Sequence, residues 1–154
     1  MRIIENYQEL ETRVGEMLTS SSWHTVTQEQ VNQFANLTGD RQWIHVDVEK
    51  ARKLSPYKGP IAHGFFVLSL LSKFFFESIE IRGISLSINY GLNKVRFTNA
   101  VPVGSRIRAQ ISVIDYKEIQ QGARVFYRVV VEIEGVEKPA CVAETISQIH
   151  TGGN

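Results

Sequence analysis

The chain has one cysteine, Cys141, in 154 residues. No internal disulfide is possible, and such sparse cysteine fits a reducing compartment. Excess charge of one sign is missing as well. The net charge is +1, and the longest basic group is only Lys50-Ala51-Arg52-Lys53. Nothing electrostatic therefore favours nucleic acid or a membrane surface as a partner. Long apolar runs are absent. Phe65–Leu68 resumes at Leu70-Leu71 and Phe74–Phe76, but polar residues interrupt it, and it is too short to cross a bilayer. Met1–Asn6 has no apolar run and no cleavage-site pattern, so no signal peptide is expected and a cytoplasmic location is. The four histidines, at 24, 45, 63 and 150, have no tight spacing, and no metal site is expected from them. No repeat, linker or low-complexity stretch divides the chain. One domain over residues 1–154 is the simplest organisation.

Apolar residues make up 43% of the chain, enough for a core. The first clear element begins near Thr27. Thr27 and Gln30 have capping-box spacing, and Val31, Phe34 and Ala35 then fall on one helical face. Gly39 suits a left-handed helix stop. Asp40–Ile44 reads as a loop, and Asp47 as the cap of a short helix through Lys53. A breaker-rich connection, Ser55–Pro60, leads to a helix from about Ala62 to Ser78. Its apolar residues point in nearly every direction, which predicts a buried helix. The rest alternates with period two. Ile84, Leu86, Ile88 and Tyr90 form one set. Ile107, Ala109, Ile111 and Val113 form a second, and Val125, Tyr127, Val129, Val131 and Ile133 a third. Each set reads as a strand with one core face, and Ala140–Ile149 as a last strand. A phase shift between Leu92 and Val95 predicts a bulge near Asn93. The fold class expected is α+β, an antiparallel sheet curled around the apolar helix.

The chemistry-bearing stretch is Gly39-Asp40-Arg41-Gln42-Trp43-Ile44-His45. It holds a carboxylate and an imidazole in one loop, where the pair can bind and activate one water. Adding water to a carbon–carbon double bond, or removing it, needs such groups.

Several segments together resemble the MaoC-like dehydratases, the (R)-specific enoyl-CoA hydratase type. They are Phe34, Thr38-Gly39-Asp40-Arg41-Gln42-Trp43-Ile44-His45, Ala62-His63-Gly64, Ile88–Phe97, Val101–Ser105 and Lys138–Glu144. The family pattern is Ser/Thr-Gly-Asp-x-Asn-Pro-x-His, followed later by Ala-His-Gly at the start of the central helix. The resemblance implies a single hot-dog domain, a homodimer and an acyl-CoA thioester substrate. No cofactor is implied, coenzyme A being part of the substrate. Gln42-Trp43 stands where Asn-Pro is commonest. That form is similar to a nodulation protein N-like subgroup, and it bears on substrate preference rather than reaction type.

On this resemblance Asp40 is the general base and His45 orients the water and relays the proton. The backbone N–H of Gly64, free at a helix start, would meet the oxyanion of an enolate-like thioester. Gly64 also suits tight packing. His63 either contributes to the site or holds the helix start. Ser69 either supports the catalytic pair or bonds back to its own helix. Lys94 and Arg96 are candidates for coenzyme A phosphates, or are solvated strand charges. Phe65, Phe66 and Phe74–Phe76 line an acyl pocket or form core, and Cys141 reads as a packed thiol. Two competing functions stand beside hydration. One is an acyl-CoA thioesterase of the same fold, for which Glu77 would be the available helix carboxylate. The other is a non-catalytic acyl-thioester-binding module.

Overall fold

The computed structural model describes residues 1–152. Its elements run β1 (Arg2–Ile4), α1 (Glu9–Thr12), β2 (Met17–Ser20), β3 (His24–Thr25), α2 (Gln28–Thr38), α3 (Trp43–Val46), α4 (Val48–Leu54), α5 (Gly64–Ser78), β4 (Ile79–Ile81), β5 (Leu86–Phe97), β6 (Arg106–Ile119), β7 (Gly122–Ile133) and β8 (Val136–His150). The main sheet is antiparallel, in the order β2-β6-β7-β8-β5, with β3 also on β6. It curls around α5, and the architecture is the α+β hot-dog arrangement expected. β1 and β4 form a separate parallel pair.

The local signals act as their chemistry requires. Thr27 accepts from the Gln30 N–H, the Gln30 side chain returns the bond, and Gly39 ends α2 at φ +80°. Asp47 caps α4 through the Lys50 N–H at 2.9 Å. The alternating apolar residues of β6 and β7 are buried and meet Phe66, Val67, Leu71 and Phe74 of α5 in one core. The ladder between β5 and β8 shifts between Leu92 and Lys94, at Asn93, and again between Asn89 and Gly91.

Four expectations need correction. Asp40–Ile44 is not all loop, since Trp43–Val46 forms the helical turn α3. Before Thr27 there are four short elements whose two to four residues are too few to show a period. Third, α5 is not buried all round. Phe65, Ser69, Ser72 and Phe76 make a stripe at helical spacing along the β5 edge of the sheet, and Phe65 and Phe76 are 68% and 79% exposed. One curled sheet covers one side of a helix, whatever the helix's composition. Fourth, the apolar set Leu86, Ile88 and Tyr90 does not face the core. Ser87 and Asn89 pair with Ile149 and Ser147 on the inner face, and the Asn89 amide donates to Ser72 of α5. Leu86, Ile88 and Tyr90 are exposed outward, with the Arg124 guanidinium 4.0 Å above the Tyr90 ring.

Candidate active site

The Gly39–His45 stretch is held by its backbone. Gly39 turns the chain out of α2, and the Asp40 N–H donates to the Thr38 hydroxyl at 3.4 Å. The Gln28 amide, in the first turn of α2, donates to the His45 carbonyl at 2.7 Å. Ile61 then closes a two-way clamp. Its N–H donates to the Ile44 carbonyl at 3.0 Å, and its carbonyl accepts from His45 Nδ1 at 2.7 Å. A carbonyl only accepts, so Nδ1 carries the hydrogen and the neutral ring keeps its lone pair on Nε2.

His63 is where the two halves of the site join. It precedes α5 as its N-cap. Its Nε2 donates to the Asp40 carbonyl at 2.9 Å, and its ring stacks on His45 with centroids 3.8 Å apart and planes at 27°. Phe34 closes the other side of the His63 ring at 5.1 Å. His45 and His63 are buried, 6% and 3% exposed, while Asp40 is exposed. His63 Nδ1 is a buried atom without a hydrogen-bond partner.

One side-chain atom from each of Asp40, His45 and His63 lies within 4.8 Å of the others. Two acceptors that share one water at hydrogen-bonding distance stand about 4–5 Å apart. The separation therefore suits one bound water held between Asp40 and His45. These three residues also form a possible ligand group that their spacing of 5 and 18 residues in the chain conceals. A metal must lie in the plane of each imidazole that binds it, and two nearly parallel stacked rings do not converge on one ion. The arrangement fits a water better than a metal.

Burial is the main influence on His45, and it holds the imidazole below its ordinary value. The Ile61 carbonyl pulls the other way, neighbouring His63 lowers it further, and Asp40 raises it. Neutral His45 is thus favoured. Activity that needs the free Nε2 is present above the ordinary imidazole range and falls as pH drops through the lowered value. Folding stability follows the same direction, because the unfolded chain binds this proton first as pH falls. We expect the acid limb of kcat/KM to lie below about pH 6.5, and a pH–rate profile measures it.

Gly64 is the first residue of α5, and no side chain caps this helix. Its N–H has no intrahelical partner. The Phe97 ring lies over it so closely that a Cβ there would stand 2.9 Å from ring carbons. Close approach, the structural alternative, therefore holds whatever else Gly64 does. His45, Gly64, Val67, Phe97 and Thr98 border one cleft of about 440 Å³.

The other candidates lie apart. Ser69 donates to the Phe65 carbonyl at 2.7 Å, bonding back to its own helix, and it borders a different groove from His45. Gln42 is the exposed residue before α3. Trp43 takes the first helical position, with Lys50 Nζ 5.1 Å from its ring. That position also accepts proline without loss, because its N–H needs no partner. Gln-Trp and Asn-Pro thus suit the same turn. Lys94 and Arg96 are exposed on the outer face of β5. Phe66 and Phe74 are core, whereas Phe65 and Phe76 are exposed. Glu77 is ion-paired with Lys73 on the surface of α5. Cys141 is buried, and burial pushes its thiol up to about 11, far from a nucleophile's range.

The chain is similar to known proteins over most of its length. Residues 9–135 match the MaoC like domain family. The chain is 48% identical to 3-hydroxyacyl-thioester dehydratase Z of Mycobacterium tuberculosis over 95% of this chain and 97% of that protein. It is 41% identical to Nodulation protein N of Rhizobium leguminosarum bv. viciae, over 93% of this chain and 90% of that one. Among solved structures, an Archaeoglobus monoamine oxidase regulatory protein superposes with a TM-score of 0.79 at 25% identity, covering 99% and 98% of the two chains.

Proposed function

The chain belongs to the MaoC-like dehydratase family, and from that premise we propose that it adds water reversibly to a trans-2-enoyl-CoA to give an (R)-3-hydroxyacyl-CoA. One observation carries the reading: Asp40, His45 and His63 are grouped within 4.8 Å, and His45 shares a cleft with the start of α5. In this reading a water gives one hydrogen bond to the Asp40 carboxylate and one to His45 Nε2. Asp40 takes a proton as the water oxygen bonds to the β-carbon. The electron pair of the double bond moves toward the thioester carbonyl, where the Gly64 N–H meets the developing oxyanion. The proton taken by Asp40 is then passed through His45 Nε2 to the α-carbon on the same face, so one water supplies both the β-hydroxyl and the α-hydrogen and Asp40 and His45 end as they began. Each positioned proton transfer is worth on the order of 10²–10⁴ in rate. The reaction uses no metal or separate cofactor.

Purified protein incubated with crotonyl-CoA is expected to remove the conjugated enoyl absorbance without releasing free thiol. Thiol release alone would favour a thioesterase and sink the proposal. Glu77, the residue a thioesterase reading needs, is engaged by Lys73. If neither signal changes, a non-catalytic thioester-binding role is the better account.

We propose further that the working unit is a homodimer. The exposed stripe of α5, with Phe65 and Phe76, lies beside the free edge of β5, a twelve-residue strand with Leu92 and Phe97 exposed. An uncovered edge of this length next to aromatic side chains is an association surface. A second copy covers both by two-fold symmetry. Sedimentation equilibrium is expected to give twice the protomer mass, and Phe76→Asp to shift the protein toward monomer. A monomeric native protein at micromolar concentration refutes this.

A further inference from the structure

On the outer face of the sheet Arg128 joins Lys94 and Arg96, the two phosphate candidates of the sequence. Lys94 and Arg96 stand two residues apart on β5, so they share a face. Arg128 of β7 pairs in register with Glu144 of β8, and Glu144 pairs with Lys94. Together with Thr98 and Val142 they line a groove of about 210 Å³. The groove holds three positive charges and one negative.

Other arginines of this protein are committed to carboxylates. Arg82 binds Glu5 and Glu80, Arg106 binds Glu134, and Arg108 binds Glu132. Among the described residues no ion pair involves Lys94, Arg96 or Arg128, even with Glu144 between them. Arg96 reaches only the Val95 carbonyl, at 2.7 Å. Three uncommitted cations around one recess form an anion site, and guanidinium groups suit phosphate oxygens.

The position of the groove tells which anion. Thr98 borders both this groove and the catalytic cleft. β5 ends at Phe97, whose ring lies over Gly64, and beyond it the edge of the sheet is held by the Thr98 and Asn99 N–H groups on the Ala140 carbonyl. A flexible chain leaving the cleft past Phe97 passes round the strand end at Thr98 and arrives beside Arg96. A thioester held at Gly64 has such a chain, its pantetheine arm, which ends in a phosphate. We propose that Lys94, Arg96 and Arg128 bind the phosphate of the phosphopantetheine arm whose acyl end occupies the catalytic cleft. This rests on the thioester reading for the identity of the ligand. Glu144 tunes the groove by repelling the same phosphate.

Two measurements test it together. In the first, coenzyme A is titrated calorimetrically into the full-length protein. Arg96→Gln and Arg128→Gln are each expected to weaken binding about tenfold, the size of one lost charge-assisted bond. Glu144→Gln is expected to tighten it roughly threefold, as removal of one screened repulsion should. No measurable coenzyme A binding, or variants that bind like the native protein, overturns the proposal. In the second, hydration is followed with crotonyl-CoA, crotonyl acyl carrier protein and phosphate-free crotonyl-pantetheine. The arginine variants are expected to raise KM about tenfold for at least one phosphate-bearing carrier, with kcat within twofold. The carrier that responds identifies the source of the arm. Crotonyl-pantetheine should be turned over equally by native and variant proteins. Equal losses on all three substrates indicate a folding defect and overturn the phosphate assignment. If no substrate is hydrated while coenzyme A binding still responds to the variants, the groove stands and the hydratase reading falls.

Discussion

Asp40→Asn and His45→Gln are each expected to lower kcat for crotonyl-CoA by at least ~10²-fold, with the fold intact. Asparagine keeps the size of the side chain but loses the anionic acceptor, so it can orient a water and cannot take its proton. Asp40 is exposed and its side chain makes no hydrogen bond or ion pair among the described residues, so the loss should appear in rate and not in melting temperature. His45 is different. Its Nδ1 donates to the Ile61 carbonyl from a buried position. Glutamine can still donate there, which makes it a better test than alanine, whose cavity would confuse stability with chemistry. A modest fall in melting temperature with a large fall in kcat is the expected pattern. Near-normal rates in both folded variants would falsify the water-activating role of the pair.

Gly64→Ala should cost about as much by a different route. The added Cβ would come within 2.9 Å of the Phe97 ring, so ring or helix start must move. A displacement near 1 Å at a reacting group can cost about 10²-fold, and an oxyanion donor is worth about 10²–10³. We expect kcat to fall about 10²-fold while far-ultraviolet circular dichroism stays unchanged. Combining it with Phe97→Leu, which relieves the crowding, should restore at least tenfold if the N–H position limits the rate. If Gly64→Ala alone keeps its activity, the thioester does not approach the start of α5.

How much of this could be read from the chain depends on distance along it. The cap of α2, its glycine stop and the cap of α4 depend on neighbours within four residues, and the sequence shows them directly. The inner faces of β6 and β7 were equally legible, because period two survives wherever one face is buried. β5 defeated the same rule. Its apolar residues alternate as cleanly, yet Ser87 and Asn89 take the inner side opposite α5. Alternation reveals two faces and does not say which one the core takes. Asp40 and His45 lie five residues apart and the pair was visible, whereas His63 reaches Asp40 across 23 residues. Only the fold brings that imidazole onto His45, and no spacing in the chain announces it.

The turn that Trp43 begins has an optical consequence. The chain has two tryptophans. Trp23 lies under the guanidinium groups of Arg106 and Arg108 on the outer face of the sheet, with Arg108 at 4.5 Å. Trp43 sits two residues before His45 and opens the same helical turn. Replacing Trp23 leaves a single indole in the turn that carries His45. Its emission then becomes a built-in gauge of that turn, able to time thioester arrival in a stopped-flow instrument without any attached dye.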